Sequence, residues 1–190
     1  MRILVAEDET IIRLDLKDLL ERAGHEVCAE ARDGEEAVAL ARSELPDLAI
    51  MDVKMPRLDG IEAARRIQDE RSIPIVMLTA YGQDELVSRA AEAGVFGYLV
   101  KPFREQDLLP AIRTARARHD EMQAVREEAE SLGEALAARK VIERAKGLLM
   151  TKEGLSEDEA FSRLRRASQA SQRPLRVIAE AVVATLGGEA

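Results

Sequence analysis

The stretch Leu48-Ala49-Ile50-Met51-Asp52 decides the fold of this chain. Four apolar residues end abruptly in a carboxylate, and a turn-rich segment with Pro56 and Asp59-Gly60 follows. A short apolar run bounded by turn signals is typical of a strand that is buried on both faces of a parallel sheet. Asp52 is therefore predicted at the carboxyl end of a central strand, the edge at which open α/β sheets build their sites.

Four further apolar runs flank this strand, and segments with helical periodicity lie between them. The runs are Arg2–Ala6, Glu26–Ala31, Pro74–Thr79 and Phe96–Val100, and the helical segments follow Thr10 and cover 35–43, 60–69 and 83–93. Alternating strands and helices predict βαβ units with right-handed crossovers. We expect a doubly wound, five-stranded parallel sheet in the order 2-1-3-4-5. Thr10 is the expected N-cap of the first helix, with Ile11 on its apolar face.

The strand signals stop after residue 104, and a long helix is predicted from Glu105. Its apolar positions recur at spacings of three and four, and charged residues flank them: Ile112, Ala115, His119, Met122, Val125, Ala129, Leu132 and Leu136. This narrow stripe favours a dimerising coiled-coil connector over a core helix. The connector is expected to cover residues 105–140.

The last sixty residues predict a small three-helix domain. An apolar stripe runs from Val141 to Leu149, and Ser156 with Glu159 forms a capping-box pattern before a second helix. That helix is expected to bury Ala160, Phe161, Leu164 and Ala167, and Pro174 suits the start of a third. The predicted organisation is an α/β domain over 1–120, the overlapping connector over 105–140, and an all-α domain over 131–190.

Composition and charge restrict the classes of function. The net charge of −8 is uneven, because residues 131–190 carry ten basic and eight acidic residues and residues 1–130 carry 18 basic and 28 acidic ones. The excess of acidic residues in 1–130 argues against nucleic-acid binding by that part of the chain, whereas residues 131–190 permit a polyanionic partner. One cysteine excludes an internal disulfide and indicates a reducing compartment. No apolar stretch reaches the length of a membrane span, so we expect a cytoplasmic protein.

Polar residues end four of the predicted strands at one edge of the sheet, and they predict a chemical site. Glu7-Asp8, Asp52, Thr79 and Lys101 would meet there. Each alone has an ordinary explanation, such as helix capping by Asp8 or a solvated lysine. Carboxylates crowded together repel one another unless a cation lies among them, and Mg²⁺ with oxygen ligands fits such a group. We therefore expect Asp52 to be chemically modified.

These residues resemble the receiver domain of two-component response regulators across residues 1–120. The matching motifs are Glu7-Asp8, Asp52 in Ile-Met-Asp-Val-Lys-Met-Pro, Asp59-Gly60, Thr79-Ala80, Tyr98 and Lys101-Pro102. The resemblance implies that a sensor histidine kinase phosphorylates Asp52. It also implies that Asp8 and Asp52 bind Mg²⁺, helped by Glu7 and the backbone carbonyl of Lys54. Lys101 would pair with the phosphoryl oxygens, and Thr79 and Tyr98 would act as switch residues. The Lys101–Pro102 bond would be cis.

The helical tail resembles the ANTAR domain, an RNA-binding antitermination module. It has no catalytic motif, so it is not an enzymatic output, and we identify no aromatic platform for bases there. The resemblance rests on residues 141–150 (Val-Ile-Glu-Arg-Ala-Lys-Gly-Leu-Leu-Met), then Leu155-Ser156, Glu159-Ala160-Phe161, Leu164-Arg165 and Leu175-Arg176. It implies that two copies in a dimer read RNA with paired hairpins. The expected contacts are Arg144, Lys146 and Gly147, then Arg165, Arg166 and Arg176.

The combined prediction is a response regulator with an RNA-binding output that controls transcription antitermination. It would form a homodimer at least when phosphorylated, and it would catalyse only its own phosphoryl transfer and dephosphorylation. Two alternatives stay open from the residues alone. The tail could bind protein instead of RNA, or the chain could be a DNA-binding transcription regulator, although the tail shows no clear recognition helix. Gly147 fits close approach of RNA and close approach of a partner helix equally well.

Overall fold

The computed structural model describes residues 1–80 and 94–187, and the predicted helix over 83–93 lies outside the described residues. The chain divides into two compact units, Met1–Gln123 and Ala124–Ala190. Each unit has a hydrophobic core of its own.

The first unit is built on a five-stranded parallel sheet, as predicted. The strands are β1 (Arg2–Ala6), β2 (Glu26–Ala31), β3 (Leu48–Asp52), β4 (Ile75–Ala80) and β5 (Gly97–Lys101), in the order β2-β1-β3-β4-β5. All five residues of β3 are buried. The central strand therefore carries Asp52 at its carboxyl end.

Helices cover both faces of the sheet, because each strand sends alternate side chains to opposite sides. In β3, Ala49 and Met51 join one core with α2 (Gly34–Glu44) and α3 (Gly60–Glu70), whereas Leu48 and Ile50 join the other with α1 (Thr10–Arg22) and the start of α4 (Glu105–Glu153). The first four residues of the central strand are therefore apolar, and Asp52, at the edge of the sheet, is its one polar residue.

The first half of the predicted dimerisation seam belongs to this core, which corrects the prediction. Ile112 and Ala115 are 3% and 0% exposed and pack in the cluster beneath the sheet. Met122, Val125, Leu132 and Leu136 are exposed by 56–65%. A helix that covers a sheet and a coiled-coil helix share the same three- and four-residue spacing, so the pattern alone could not separate them.

The start of α1 also differs from the prediction. Glu9 is the N-cap residue, without a side-chain capping bond, and Thr10 is the first helical residue. Ile11 is 84% exposed, whereas Leu16, Leu19 and Leu20 are buried. Helical periodicity predicted the helix correctly but placed one residue too many on its buried face.

The second unit contains the last part of α4, α5 (Glu157–Ser171) and α6 (Leu175–Leu186). Its core is formed by small and aliphatic residues from all three helices: Ala145, Leu149, Ala160, Leu164 and Ala179. The Ser156–Glu159 capping box is present and starts α5. Phe161 and Ala167 were predicted to be buried but are exposed. The buried face of α5 is formed by Ala160 and Leu164.

None of the helices within the described ranges combines the length and the apolar character that crossing a membrane requires.

Candidate functional site

The carboxyl ends of β1 and β3 bring three acidic side chains together. The parallel register pairs Ala6 with Met51, so the residues that follow each strand lie side by side. Glu7, Asp8 and Asp52 each offer a carboxylate oxygen, and these oxygens lie within 4.8 Å of one another. Glu7 is fully buried and Asp52 is 8% exposed, whereas Asp8 is exposed. The predicted acidic cluster is thus assembled with one open side.

Lys101 brings a positive charge to two of these carboxylates. It ends β5, and its Nζ lies 2.6 Å from Glu7 Oε2 and 3.1 Å from Asp52 Oδ1. The side chain is 17% exposed, and the Lys101–Pro102 peptide bond is cis. An ammonium group that contacts a carboxylate in this position can also contact an anion carried by that carboxylate.

The electrostatics of the cluster favour an added cation. Burial raises the pKa of the Glu7 and Asp52 carboxyls above their ordinary values, and Lys101 only partly opposes it. Burial also works to lower the pKa of Lys101, but its contacts with Glu7 and Asp52 outweigh burial and raise it. Three carboxylates facing one ammonium group leave excess negative charge, and all three are hard oxygen ligands. This donor set fits Mg²⁺, which prefers carboxylates together with water and phosphate oxygens.

Arg13 supports the cluster from behind, and the sequence analysis missed it. The residue is 7% exposed, its Nη1 donates a 2.6 Å hydrogen bond to the Glu7 carbonyl oxygen, and its Nε lies 3.6 Å from Glu30 Oε2. A buried guanidinium thus holds the backbone that carries Glu7. No sequence signal distinguishes Arg13 from an ordinary surface residue of α1, because its partners lie on other elements.

The loop after Asp52 is packed against the strand end through a glycine. A Cβ added to Gly60 would lie 1.9 Å from the Asp52 carbonyl oxygen, so no other residue fits there without a shift of the backbone. Asp59 caps α3 by accepting a 2.9 Å hydrogen bond from the Glu62 backbone N–H. The Asp59-Gly60 motif therefore sets how the chain leaves Asp52. Lys54, whose carbonyl was predicted as a ligand, is exposed in this loop.

Thr79 and Tyr98, the predicted switch residues, lie on the neighbouring strands. The register pairs Asp52 with Leu78, so Thr79 follows directly beyond it on β4. Thr79 is 5% exposed, and its Oγ1 donates to the Ala80 carbonyl oxygen at 3.1 Å. Tyr98 is half-buried against the core, and this burial raises the pKa of its phenol.

All the predicted RNA-contact residues of the second unit except Lys146 are exposed on its three helices. The exposed members are Arg144 and Gly147 on α4, Arg165 and Arg166 on α5, and Arg176 on α6. Arg176 pairs with Glu180 at 2.7 Å. A Cβ added to Gly147 would meet nothing within 4 Å, so packing between helices of the described chain does not require this glycine.

Lys146, the remaining predicted RNA contact, is largely buried and paired with acidic residues of its own unit. It is 8% exposed, and its Nζ lies 3.1 Å from Glu143 Oε2 and 2.6 Å from Glu157 Oε1. Its charge therefore joins α4 to the start of α5 inside the unit. A lysine at the edge of an apolar stripe looks like a free surface cation in the sequence, because Glu157 approaches it only through the tertiary fold.

Two family models match the chain and together cover most of its length. A response regulator receiver domain matches residues 3–113, and an ANTAR domain matches residues 130–183.

Similar proteins are found for the whole chain and for its first unit. The transcriptional regulatory protein PdtaR of Mycobacterium tuberculosis is 51% identical over 186 residues, which cover 98% of this chain and 91% of that protein. The chemotaxis protein CheY of Bacillus subtilis is 41% identical over 112 residues, which cover 58% of this chain and 93% of that protein.

Solved receiver structures resemble the first unit. The signal receiver domain of a modulated diguanylate cyclase from Desulfovibrio desulfuricans G20 has a TM-score of 0.59 at 32% identity, covering 63% of this chain and 95% of that one. A CheX–CheY–BeF3–Mg²⁺ complex from Borrelia burgdorferi gives a TM-score of 0.57 at 25% identity, covering 59% and 86%.

Proposed function

Because this chain belongs to the response-regulator family, with a receiver domain followed by an ANTAR domain, we propose that phosphorylation of Asp52 controls its output. The protein is a response regulator with an RNA-binding output that acts in transcription antitermination. It is a regulator rather than an enzyme, and sensor kinases and RNA are the kinds of partner that its two domains take. The proposal concerns which residues carry the signal and how they do so.

The position of Asp52 between acidic groups and Lys101 supports its role as phosphoacceptor. A carboxylate oxygen of Asp52 attacks phosphorus as the phosphorus–nitrogen bond of the kinase phosphohistidine breaks. Such a transfer requires positioning and charge neutralisation more than a base. Lys101 Nζ, 3.1 Å from Asp52 Oδ1, pairs with the phosphoryl oxygens that appear there. Beyond this phosphoryl transfer and the hydrolysis of the acyl phosphate, in which water attacks phosphorus and inorganic phosphate leaves, the chain catalyses no reaction.

Asp8 and Asp52, with Glu7 and the Lys54 carbonyl oxygen, are the groups that would hold Mg²⁺. When bound, the ion neutralises the charge of the transferred phosphoryl group and of the carboxylates. The excess of acidic groups over Lys101 supports this assignment. A Borrelia burgdorferi relative in complex with BeF3 and Mg²⁺ supports it by analogy.

Thr79 and Tyr98 transmit the change away from Asp52. The Thr79 hydroxyl leaves its present acceptor, the Ala80 carbonyl, and donates to a phosphoryl oxygen. Tyr98, on the neighbouring strand and half-buried, then moves inward. The observation that supports this step is the location of Thr79 on β4, one residue beyond the partner of Asp52.

The response is a change in a homodimer that binds paired RNA hairpins. The exposed apolar residues Met122, Val125, Leu132 and Leu136 of α4 form the contact between the two copies. Arg144, Gly147, Arg165, Arg166 and Arg176 contact RNA, and Lys146 positions α5 beside them. The receiver covers 1–120, the connector 105–140 and the output 131–190, and the protein acts in the cytoplasm.

The phosphoacceptor is tested by replacing Asp52 with alanine. The change removes the nucleophile, so we expect labelling by a histidine kinase or by radioactive acetyl phosphate to disappear while the fold remains. Asp69→Ala is the matched control, since Asp69 is an exposed carboxylate of α3. Labelling of Asp52→Ala at the level of the unchanged protein would contradict the assignment.

The coupling is tested with a tandem-hairpin RNA selected from a pool with randomised loops. Binding is measured by gel shift with and without beryllofluoride and Mg²⁺, which mimic the phosphorylated state. Tight binding only with the mimic supports the switch. Equal RNA affinity with and without the mimic would contradict control of the output by Asp52. Binding that falls steeply with salt indicates phosphate contacts. A folded protein that binds no selected RNA would favour a protein-binding output.

A further inference from the structure

Phe161 is an exposed aromatic residue in a unit that otherwise contains none. Residues 124–190 contain no other Phe, Tyr, Trp or His. Phe161 is 42% exposed, whereas its neighbours Ala160 and Leu164 on α5 are buried. Leaving a large apolar ring in water forfeits burial energy that the adjacent core could provide. The exposed part of the ring is therefore apolar surface that a ligand can cover.

Lys146 places an ammonium group over the ring. Lys146 Nζ lies 6.0 Å from the centroid of Phe161, within the range of a cation–π contact. Glu143 and Glu157 in turn hold Lys146 through ion pairs that join α4 and α5. The ammonium group is thus paired with two carboxylates, which position it over the ring.

The surroundings of Phe161 are polar and include the arginines assigned to RNA. Arg165 follows one helical turn later on α5, on the same side of the helix. Phe161 is the one exposed large hydrophobic residue of the described helix α5. A protein interface of ordinary size needs about 800 Å² on each partner, which a single ring among charged residues does not provide. A flat ligand with a neighbouring negative charge matches the ring and Arg165.

We propose that Phe161 is a stacking platform for one unpaired base of the bound RNA, with Lys146 fixing the ring and Arg165 contacting the adjacent phosphate. This assignment rests on the RNA-binding function proposed above. Single-stranded loops offer unstacked bases, and an aromatic side chain can stack on any of the four because every base has a π-face. The sequence analysis identified no aromatic platform in the tail, because it expected the Phe161 side chain to be buried.

The first experiment compares Phe161→Leu with the unchanged full-length protein, using the selected tandem-hairpin RNA. Leucine keeps an apolar side chain but removes the π-face, so we expect the Kd to rise by roughly 5- to 150-fold, the range of one lost base–aromatic stack. Val177→Ala is the control, because Val177 is 38% exposed on α6 and lies outside the proposed contact. That variant should bind as the unchanged protein does.

The second experiment uses Phe161→Trp, because the chain contains no tryptophan. The introduced indole retains a π-face, so binding should persist and its fluorescence should change on saturation with RNA as a base stacks on it. Circular dichroism and molecular mass by light scattering are recorded for every variant.

Each outcome bears on the inference. If the unchanged protein and Phe161→Leu bind the RNA equally, or the indole emission does not respond, the platform is wrong while the RNA-binding function stands. If Phe161→Leu loses its dimer mass or its fold, the ring belongs to a protein contact and the platform is again wrong. If the unchanged protein binds no selected RNA, the proposed function fails and the platform fails with it.

Discussion

At the residue scale, the acidic site depends on Arg13, which contacts the backbone of Glu7 but none of the three carboxylates. Arg13 is buried, donates to the Glu7 carbonyl oxygen at 2.6 Å and lies beside Glu30. A hydrogen bond from a charged donor to a buried carbonyl is strong, and its loss leaves the carbonyl without that partner. Arg13 is therefore a positioning residue for Glu7 and, through it, for the proposed cation site.

Replacing Arg13 with glutamine is expected to weaken Mg²⁺ binding by about 10-fold, as loss of an outer-shell partner commonly does. The reason is that Glu7 and its backbone would no longer be held in place beside Asp8 and Asp52. Isothermal titration with Mg²⁺ measures the effect. Arg22→Gln is the control, because the Arg22–Asp18 pair is exposed and contributes little. Equal affinity in both variants would remove Arg13 from the site.

The raised pKa values of Glu7 and Asp52 predict how stability changes with pH. Their ordinary values are 4.5 and 3.8, and burial raises both in the folded chain. A folded acid with a raised pKa binds its proton more tightly than the unfolded acid does. In metal-free protein, stability should therefore fall as the pH rises from the ordinary values through the raised ones.

Melting in EDTA and in Mg²⁺ across this range measures that effect. At the proposed site Mg²⁺ would bind the ionised carboxylates and offset their repulsion, so the difference in Tm between the two conditions should widen as the pH rises. In Asp52→Asn one of the titrating carboxylates is absent, and the difference should be smaller. A difference that stays constant from acidic to neutral pH would speak against linkage through these groups.

At the scale of elements, the exit of the chain from β3 depends on close backbone contact. A Cβ at Gly60 would lie 1.9 Å from the Asp52 carbonyl oxygen, whereas a Cβ at Gly133 in α4 would meet nothing within 4 Å. Both residues are glycine, but only the first lies against another element. The two positions therefore separate a packing requirement from the ordinary helix propensity of glycine.

Gly60→Ala is expected to lower the free energy of unfolding by about 1–3 kcal/mol, because the added methyl group forces the backbone of β3 or α3 to shift. Gly133→Ala should instead raise helix stability by about 1 kcal/mol, since alanine is the better helix former. Urea unfolding of both variants checks the contrast. The same sign of change at both positions would refute the argument from packing.

At the scale of the whole molecule, α4 begins in the first unit and ends in the second, and its middle carries exposed apolar residues. Leu132 and Leu136 are 65% and 56% exposed, one helical turn apart. A stripe of this kind on a helix with charged flanks is typical of coiled-coil pairing. A second copy of the chain is therefore the proposed partner of this stripe.

The double variant Leu132→Lys with Leu136→Lys should abolish the dimer, because like charges would face each other across the seam. Light scattering in the presence of beryllofluoride and Mg²⁺ measures the mass. Glu127→Lys, on the opposite side of the same helix, should leave it unchanged. If the double variant retains the mass of the unchanged protein, the seam does not hold the dimer.

The order of the sheet, the strand end at Asp52 and the capping box of α5 were predictable from the sequence. Each follows from local rules, because apolar runs, turn residues and caps act within a few positions of the chain. The acidic group was also predictable, since parallel strands that end in polar residues bring them to one edge.

Only the tertiary structure decided which surface each residue meets. Ile112 lies in the core rather than in a coiled-coil seam, and Lys146 contacts two glutamates. Phe161 is partly exposed, whereas Ala160 and Leu164 on the same helix are buried. The role of Arg13 depends on its contacts with Glu30 on β2 and with the Glu7 carbonyl after β1, which only the tertiary structure brings together. The physical reason is that periodicity states which residues share a face, whereas burial and charge pairing depend on distant elements that cover that face.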